Sequence, residues 1–421
     1  MLGLLTVGFG LNLLDRQIIN ILGEPIKRDL GLTDAQLGAL SGLSFAILYS
    51  VAALPIARMA DRHNRARIVG AAILAWSFFT AACGLANSFL HMILLRIGVG
   101  LGEAGGAPPS QSLIGDSYPP EKRSGALATF SLGAPVGSAI GLIGGGTLAG
   151  VLGWRWTMVC AGLPGLVIGA LVLLTVRDPR AGVAVQHDLP SVRTVLRTLA
   201  SRRAFLLMIL ASGLLSFVNY GAMAFAGSFY LRNHLAELTE IGARFGQQPL
   251  GVVGLALGIL GAIGGSLGTI AGGWLGDRYG PRDVRALALI PAAGSVLTAV
   301  GFALVFILPT AAASLLAFPV AAFCSCLWWG PATLGQQRLA GAQSKATALA
   351  VALFFNSAIG LSFGPLLIGV MSDALTPSLG PAEGLRVGIL LGLTSGLISG
   401  LVYWLASRRI AADILEAERD A

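Results

Sequence analysis

The chain has 421 residues, of which 55% are hydrophobic and only 11% charged, with a formal net charge of +8 and a strongly positive mean hydropathy. A soluble domain carries about one quarter charged residues, so this composition excludes a soluble protein and demands a bilayer. The excess of positive charge needs no nucleic acid, because arginines in short loops set the orientation of a membrane protein and hold anionic lipid head groups.

At about 20 apolar residues per crossing, the sequence divides into twelve spans. In the first half these fall at residues 4–24, 35–56, 67–87, 90–113, 124–149 and 156–176, and in the second at 205–230, 250–275, 286–307, 310–335, 346–371 and 384–406. The fold expected is all-α, with two six-helix bundles at 1–176 and 204–421 and a cytoplasmic linker at 177–203. The chain enters span 1 almost at once, without a short apolar region and a small-residue cleavage site, so its start reads as a mature helix and not a removed signal.

Span 1 carries Asp15 and Arg16 near its middle. An ionisable group in hydrocarbon costs several kcal/mol and marks function by default. The connection after span 2 holds Arg58, Asp61, Arg62, Arg65 and Arg67. Span 4 holds the other two intramembrane charges, Arg96 and Glu103, two helical turns or roughly 10 Å apart on one face. The proton affinity of such a carboxyl depends on whether a guanidinium stands beside it. An arginine that changes partners during a conformational cycle therefore couples protons to that cycle. The alternative is a static pair locking helices 1 and 4, a poor use of buried charge because an apolar contact would serve as well.

Beyond Glu103, Pro108 and Pro109 remove backbone donors and predict a kink. Carbonyls freed there, with Ser110 or Ser112, would meet polar ligand groups or shape packing only. Span 5 follows with Gly133, Gly137, Gly141 and Gly145 at four-residue spacing, the kind of small face that lets helices approach closely in lipid.

The polar stretch 177–203 contains Pro179, Gly182 and Pro190 and predicts a linker with a short surface helix over 190–198. In the second half the spans hold no deep charge, and the candidate cavity wall is Asn219, Tyr220 and Phe229 in span 7, Trp328 and Trp329 in span 10, and Phe355 and Asn356 in span 11. Packing against helices or lipid is the competing role for each of these aromatics. A second polar stretch, 233–248, follows span 7, and span 8 carries a further glycine face. The connection after span 8 repeats the earlier pattern with Asp277, Arg278, Arg282 and Arg285. Cations concentrate in the even-numbered connections, which places both termini in the cytoplasm.

Four cysteines lie in apolar spans and read as buried small residues. Cys324 and Cys326 have no histidine or acid beside them, so no metal site is expected. The four histidines lie in loops or at span ends and no phosphate-binding loop occurs, which argues against an enzyme.

The duplicated loops, Ala57 to Arg67 and Gly273 to Arg282, resemble the G-x-x-x-D-R-x-G-R signature of the major facilitator superfamily. The second copy is the more faithful, since Ala57 and Asn64 replace glycines in the first. The resemblance implies two six-helix halves with a substrate site between them near the midplane, as that superfamily's nested repeats arrange it. It also implies gating roles for Asp61, Arg62, Arg65, Asp277, Arg278 and Arg282. Asp61 would cap the start of span 11 near Ser344, and Asp277 the start of span 5 near Ser124.

Asn12-Leu-Leu-Asp15-Arg16, and Arg96 through Glu103-Ala followed by Ile114-Gly-Asp116 and Arg123, resemble the Spinster family. Leu13 stands where that family has tyrosine. This narrower resemblance implies a proton-linked secondary transporter of lysolipid-like anions, using Asp15, Arg16, Arg96 and Glu103 for coupling and Arg96 with Glu103 at the substrate. The proton is then the coupling ion and no cofactor is needed. The partners are membrane lipid and a small amphiphilic or anionic substrate, and a monomer is expected in the inner membrane of a bacterium. Two other functions compete: transport of a small organic anion or drug, and a non-transporting membrane sensor, for which the intramembrane charges would serve no purpose.

Overall fold

The computed structural model describes residues 1–44, 52, 55–56, 59–60, 63–179, 192–340 and 345–419. Among these the regular structure is entirely helical, and nine stretches are long and apolar enough to cross a membrane. Two of the nine, Glu121–Thr175 and Thr347–Ser407, contain 55 and 61 residues, more than two crossings take. Each is doubled back at a single glycine. Gly153 has φ 74° and ψ 166°, and Gly380 has φ 79° and ψ 166°. That region of backbone space is essentially closed to any side chain. A Cβ at either glycine would meet nothing within 4 Å, so the backbone angle alone demands the residue.

These two turns join spans 5 and 6 and spans 11 and 12, so the internal duplication is written into the backbone as well as the loops. Span 2 begins with the helix Asp34–Gly38 and the π-helical turn Ala39–Leu43 and then runs largely outside the described residues. The architecture is the twelve-helix, all-α arrangement expected from the sequence.

Breaks inside spans recur in the same duplicated fashion. Span 4 runs as a helix over Phe89–Glu103, stops for three residues and resumes over Ala107–Ser117. Pro108 and Pro109 start the second piece, where a missing N–H costs nothing. Span 10 is divided in the corresponding place into Ala311–Cys326 and Trp329–Ala340, ahead of Pro331. Span 11 contains a second π-helical segment, Asn356–Phe363, which puts Asn356 at the onset of a distorted turn.

Packing groups the chain into two compact units, residues 1–186 with 224–262, and residues 187–223 with 263–421. In the first, Leu5, Trp76, Val99, Phe130 and Val172 form a shared apolar core. The glycine face of span 5 lies directly on span 1: a Cβ on Gly137 would overlap the carbonyl of Gly10, the close approach that small residues permit. In the second unit, Phe205, Met208, Trp328 and Tyr403 pack with Ile410 and Ile414 of the C-terminal helix Ile410–Arg419. Asp413 of that helix accepts a 2.7 Å hydrogen bond from the Ala204 N–H, at the positive end of the helix Arg203–Asn233. The linker contributes the helix Val192–Ser201, and the polar stretch after span 7 forms the helix Leu235–Phe245.

Candidate functional site

Spans 1, 3 and 4 bring the intramembrane charges together inside the first unit. Arg16 Nε donates to Glu103 Oε2 at 2.9 Å, with the Glu103 side chain wholly buried and that of Arg16 22% exposed. Asn12, one turn before Arg16, lies near Glu103 as well. Asp15 is 2% exposed, and its Oδ2 accepts from Thr80 of span 3 at 3.1 Å. Arg96 is equally buried and near enough to act electrostatically on both carboxylates. Three atoms in this cluster have no hydrogen-bond partner: Asp15 Oδ1, Glu103 Oε1 and Arg96 Nε. Buried polar atoms are nearly always paired in folded proteins. A cluster with spare donors and acceptors on adjacent groups has the capacity to take up a proton or a polar ligand atom.

The helix-face spacing in span 4 predicts Arg96 beside Glu103, whereas the direct ion pair of Glu103 is to Arg16 on another helix. Ser110 is 3% exposed and bonds back to the Gly106 carbonyl at 2.7 Å. It lines, with Asn12 and Trp76, a cavity of about 10 Å³, room for about one water.

The second unit holds most of the remaining candidate residues. Asn219 Nδ2 donates weakly, at 3.4 Å, to the Ser325 carbonyl, and its Oδ1 is buried without a partner. Asn356 Oδ1 is likewise unpartnered. Trp328 is buried and donates to the Ser325 carbonyl at 3.0 Å, with its ring edge-on to Trp329 at 5.1 Å. Tyr220, Trp329 and Phe355 are 40%, 47% and 36% exposed. Phe229, which belongs to the first unit, is packed into an aromatic cluster with Tyr230 and His234, with ring centroids 5.2 and 5.5 Å away.

Two ion networks lie at opposite ends of the helices of the first unit. At the end bearing the span 2–3 connection, Arg65 opens span 3. Its Nη2 meets Asp178 Oδ1 at 2.5 Å and its Nη1 meets Asp116 Oδ2 at 2.5 Å. Ser112 is exposed and accepts from Arg65 Nη1 at 2.9 Å. The Arg65 backbone N–H also donates to Asp178, at 2.7 Å. This arginine therefore ties together the ends of spans 3, 4 and 6. Asp61, Arg62 and Ser344 lie outside the described residues. In the second copy of the loop, Asp277 is exposed, Arg278 stacks over Trp274 at 5.3 Å and Arg282 reaches the Arg278 carbonyl at 3.3 Å.

At the other end, Arg232 near the close of span 7 is held by two carboxylates. It donates to Glu24 Oε2 from Nε at 2.8 Å and Nη2 at 2.7 Å, and to the two oxygens of Asp34 at 2.7 and 2.9 Å. Lys27 reaches Asp34 at 2.5 Å and Arg28 reaches Glu24 at 3.1 Å. Close by in sequence, Asp29 pairs with Arg155 at 2.7 Å and accepts from Trp154 Nε1 at 3.2 Å. Counting cations by connection misses this network. The signal is three acids, Glu24, Asp29 and Asp34, five residues apart in one short connection, with Arg155 and Arg232 at the ends of other spans.

The profile of the Major Facilitator Superfamily matches residues 5–365. An MFS-type efflux pump of Mycolicibacterium smegmatis (strain ATCC 700084 / mc(2)155) is 32% identical, over 99% of this chain and 94% of that protein. The sphingosine-1-phosphate transporter SPNS2 of Xenopus tropicalis is 28% identical, over 89% of this chain and 74% of its own length. Among solved structures, a bacterial homolog of the human lysosomal transporter Spinster, in an inward-facing and unoccupied conformation, superposes with a TM-score of 0.87. It is 28% identical and covers 98% of this chain and 97% of its own. Duplicated loops, duplicated glycine turns and these likenesses agree that the chain is a multi-pass transporter of the Major Facilitator Superfamily, similar in sequence and fold to proteins of the Spinster family.

Proposed function

We propose that this chain is a proton-coupled secondary transporter that exports an amphiphilic, lysolipid-like anion by alternating access. The observation that carries this reading is the buried Arg16–Glu103 pair, with Asp15 and Arg96 beside it and an unpartnered atom on each of Asp15, Glu103 and Arg96. A static lock has no use for spare acceptors on two buried carboxylates, since each unsatisfied atom costs stability. A site whose groups must trade partners keeps them. Protonation of Asp15 or Glu103 would release an arginine, and the freed guanidinium would take the anionic head of the substrate in bidentate fashion.

The two ion networks fit the two gates of such a cycle. Glu24, Asp34 and Arg232 join spans 1, 2 and 7 on the outer side, and Arg65 with Asp116 and Asp178 braces the cytoplasmic ends of spans 3, 4 and 6. Both termini are then cytoplasmic, as the arginine-rich even connections require. In the second half, partly exposed aromatics beside Asn219 and Asn356 suit a greasy tail.

A second substrate class, small organic anions or drugs, is supported by the likeness to an efflux pump. Flux into proteoliposomes across a panel of lysolipids and organic anions, with and without a pH gradient, separates the two. Gradient-stimulated movement of a lysolipid supports the first reading. Stimulation by organic anions alone favours the second, and no gradient effect on any of them contradicts proton coupling.

A further inference from the structure

A groove of about 520 Å³ lies on the flank of spans 3 and 4, and its described lining includes none of Asp15, Arg16, Arg96 and Glu103. Its floor is apolar: Ala71, Ala75 and Phe79 of span 3 face Leu101 of span 4 across a seam where the helices touch through Gly98 and Gly102. A Cβ on Gly98 would come within 2.7 Å of the Phe79 ring, and one on Gly102 within 2.7 Å of the Trp76 backbone. The groove therefore exists because two spans meet at glycines while larger side chains stand to either side. Ala71 lies open to the outside of the unit, and Leu101 is 49% exposed and Met59 44%.

One end of the groove is basic. Arg67 and His63 line it there and both are exposed. Asn64 is committed to capping the helix, accepting from the Arg67 N–H at 3.0 Å, and among the described lining residues Arg67 is the permanent cation at this end. From Arg67 to Phe79 the helix rises about 18 Å, so the floor runs well into the hydrocarbon layer. An apolar trough at that depth does not hold water, and its lining gains contact only from something apolar. A cation at the interfacial end selects a negative head group.

We propose that this groove is a binding site for one anionic phospholipid of the surrounding bilayer, with an acyl chain along Ala71 and Ala75 and its phosphate at Arg67. The site is separate from the transported substrate, and none of its contacts involves the coupling charges.

Native mass spectrometry of the detergent-purified full chain tests this without transport, so a failure here is distinguishable from a failure of the proton-coupling reading. The probes are phosphatidylglycerol, phosphatidylethanolamine and lysophosphatidylglycerol. The expected result is one phosphatidylglycerol retained at least about tenfold more strongly than phosphatidylethanolamine. Arg67→Gln should abolish that preference, and Ala71→Phe, which fills the trough on an open helix face, should abolish retention itself. Arg67→Lys should restore most of the preference, since a point charge suffices for a head group. Equal retention in wild type and Ala71→Phe overturns the proposal, as does undiminished preference in Arg67→Gln. Stronger retention of lysophosphatidylglycerol than phosphatidylglycerol would make the groove a substrate site, and a wild-type dimer lost in Ala71→Phe would make it a protein interface. Either of these also overturns it.

Discussion

Arg16 and Arg96 divide between them the work of facing two buried carboxylates, and the division is unequal. Arg16 has a direct bond to Glu103 at 2.9 Å, while the buried Arg96 has an unpartnered Nε, the spare donor that the proposed function gives to the anionic head of the substrate. Replacing Arg96 with lysine keeps the charge but removes the planar fork. Arg96→Lys should therefore weaken substrate binding about tenfold or more, the loss of one charge-assisted bond of about 1.5–3 kcal/mol. Equal affinity of wild type and Arg96→Lys in a direct binding assay would remove Arg96 from the site. The presence of these charges in the membrane was legible from sequence, because any ionisable residue inside a span stands out against an apolar background. Their pairing was not. Spacing along one helix brings Arg96 and Glu103 to the same face, but the contact of Arg16 with Glu103 and of Thr80 with Asp15 depends on how spans 1, 3 and 4 lie together, which a single-helix pattern does not contain.

At the scale of elements, two pairs of spans, 5 with 6 and 11 with 12, turn on single glycines. Gly153 and Gly380 occupy nearly the same backbone conformation with empty space around each Cβ position, so substitution there tests conformation without crowding. Gly153→Ala and Gly380→Ala should each destabilise the protein by about 1–3 kcal/mol. Gly144→Ala, also with nothing within 4 Å but without a positive φ, should be neutral or slightly stabilising. Thermal unfolding in detergent is the measurement, and a Gly153→Ala midpoint equal to that of Gly144→Ala would count against the turn geometry. The break in span 4 was readable from Pro108 and Pro109. The turns at Gly153 and Gly380 fall in the connections predicted between spans 5 and 6 and between spans 11 and 12, but their single-glycine geometry, the matching break in span 10 and the π-helical segment at Asn356 were not read, because each depends on local backbone angles that composition leaves open.

At the scale of the whole molecule, the alternating-access cycle proposed above would make the two ends of the helices energetic opposites. At the end that this cycle takes as outer, removing Arg232 would leave Glu24 and Asp34 buried close together with only Arg28 and Lys27 beside them, and without the cation that bridges the two acids. Arg232→Gln should therefore favour opening of that side. On the cytoplasmic side, aspartates at span ends contribute about 0.3–2 kcal/mol by capping a helix start. Asp61→Asn and Asp277→Asn should accordingly favour opening of the cytoplasmic mouth, with the larger effect at Asp61, whose loop carries more arginines. A change of about 1.4 kcal/mol alters the ratio of states tenfold, which spin-label distances across each mouth resolve. Unchanged distances in both aspartate variants would leave the loops with a topogenic role only. The two-half organisation behind this account was legible in the duplicated loops. The outer network was not, because Arg232 and its acids are some 200 residues apart in sequence. The central claim is that substrate movement is tied to proton movement through Asp15 or Glu103, and its most direct test is the internal pH of proteoliposomes when a transported substrate is added without any other driving force. The account predicts substrate-driven proton movement in the wild type, and its loss in Asp15→Asn or Glu103→Gln while counterflow exchange of substrate persists. Full substrate-driven proton movement in both variants would contradict it.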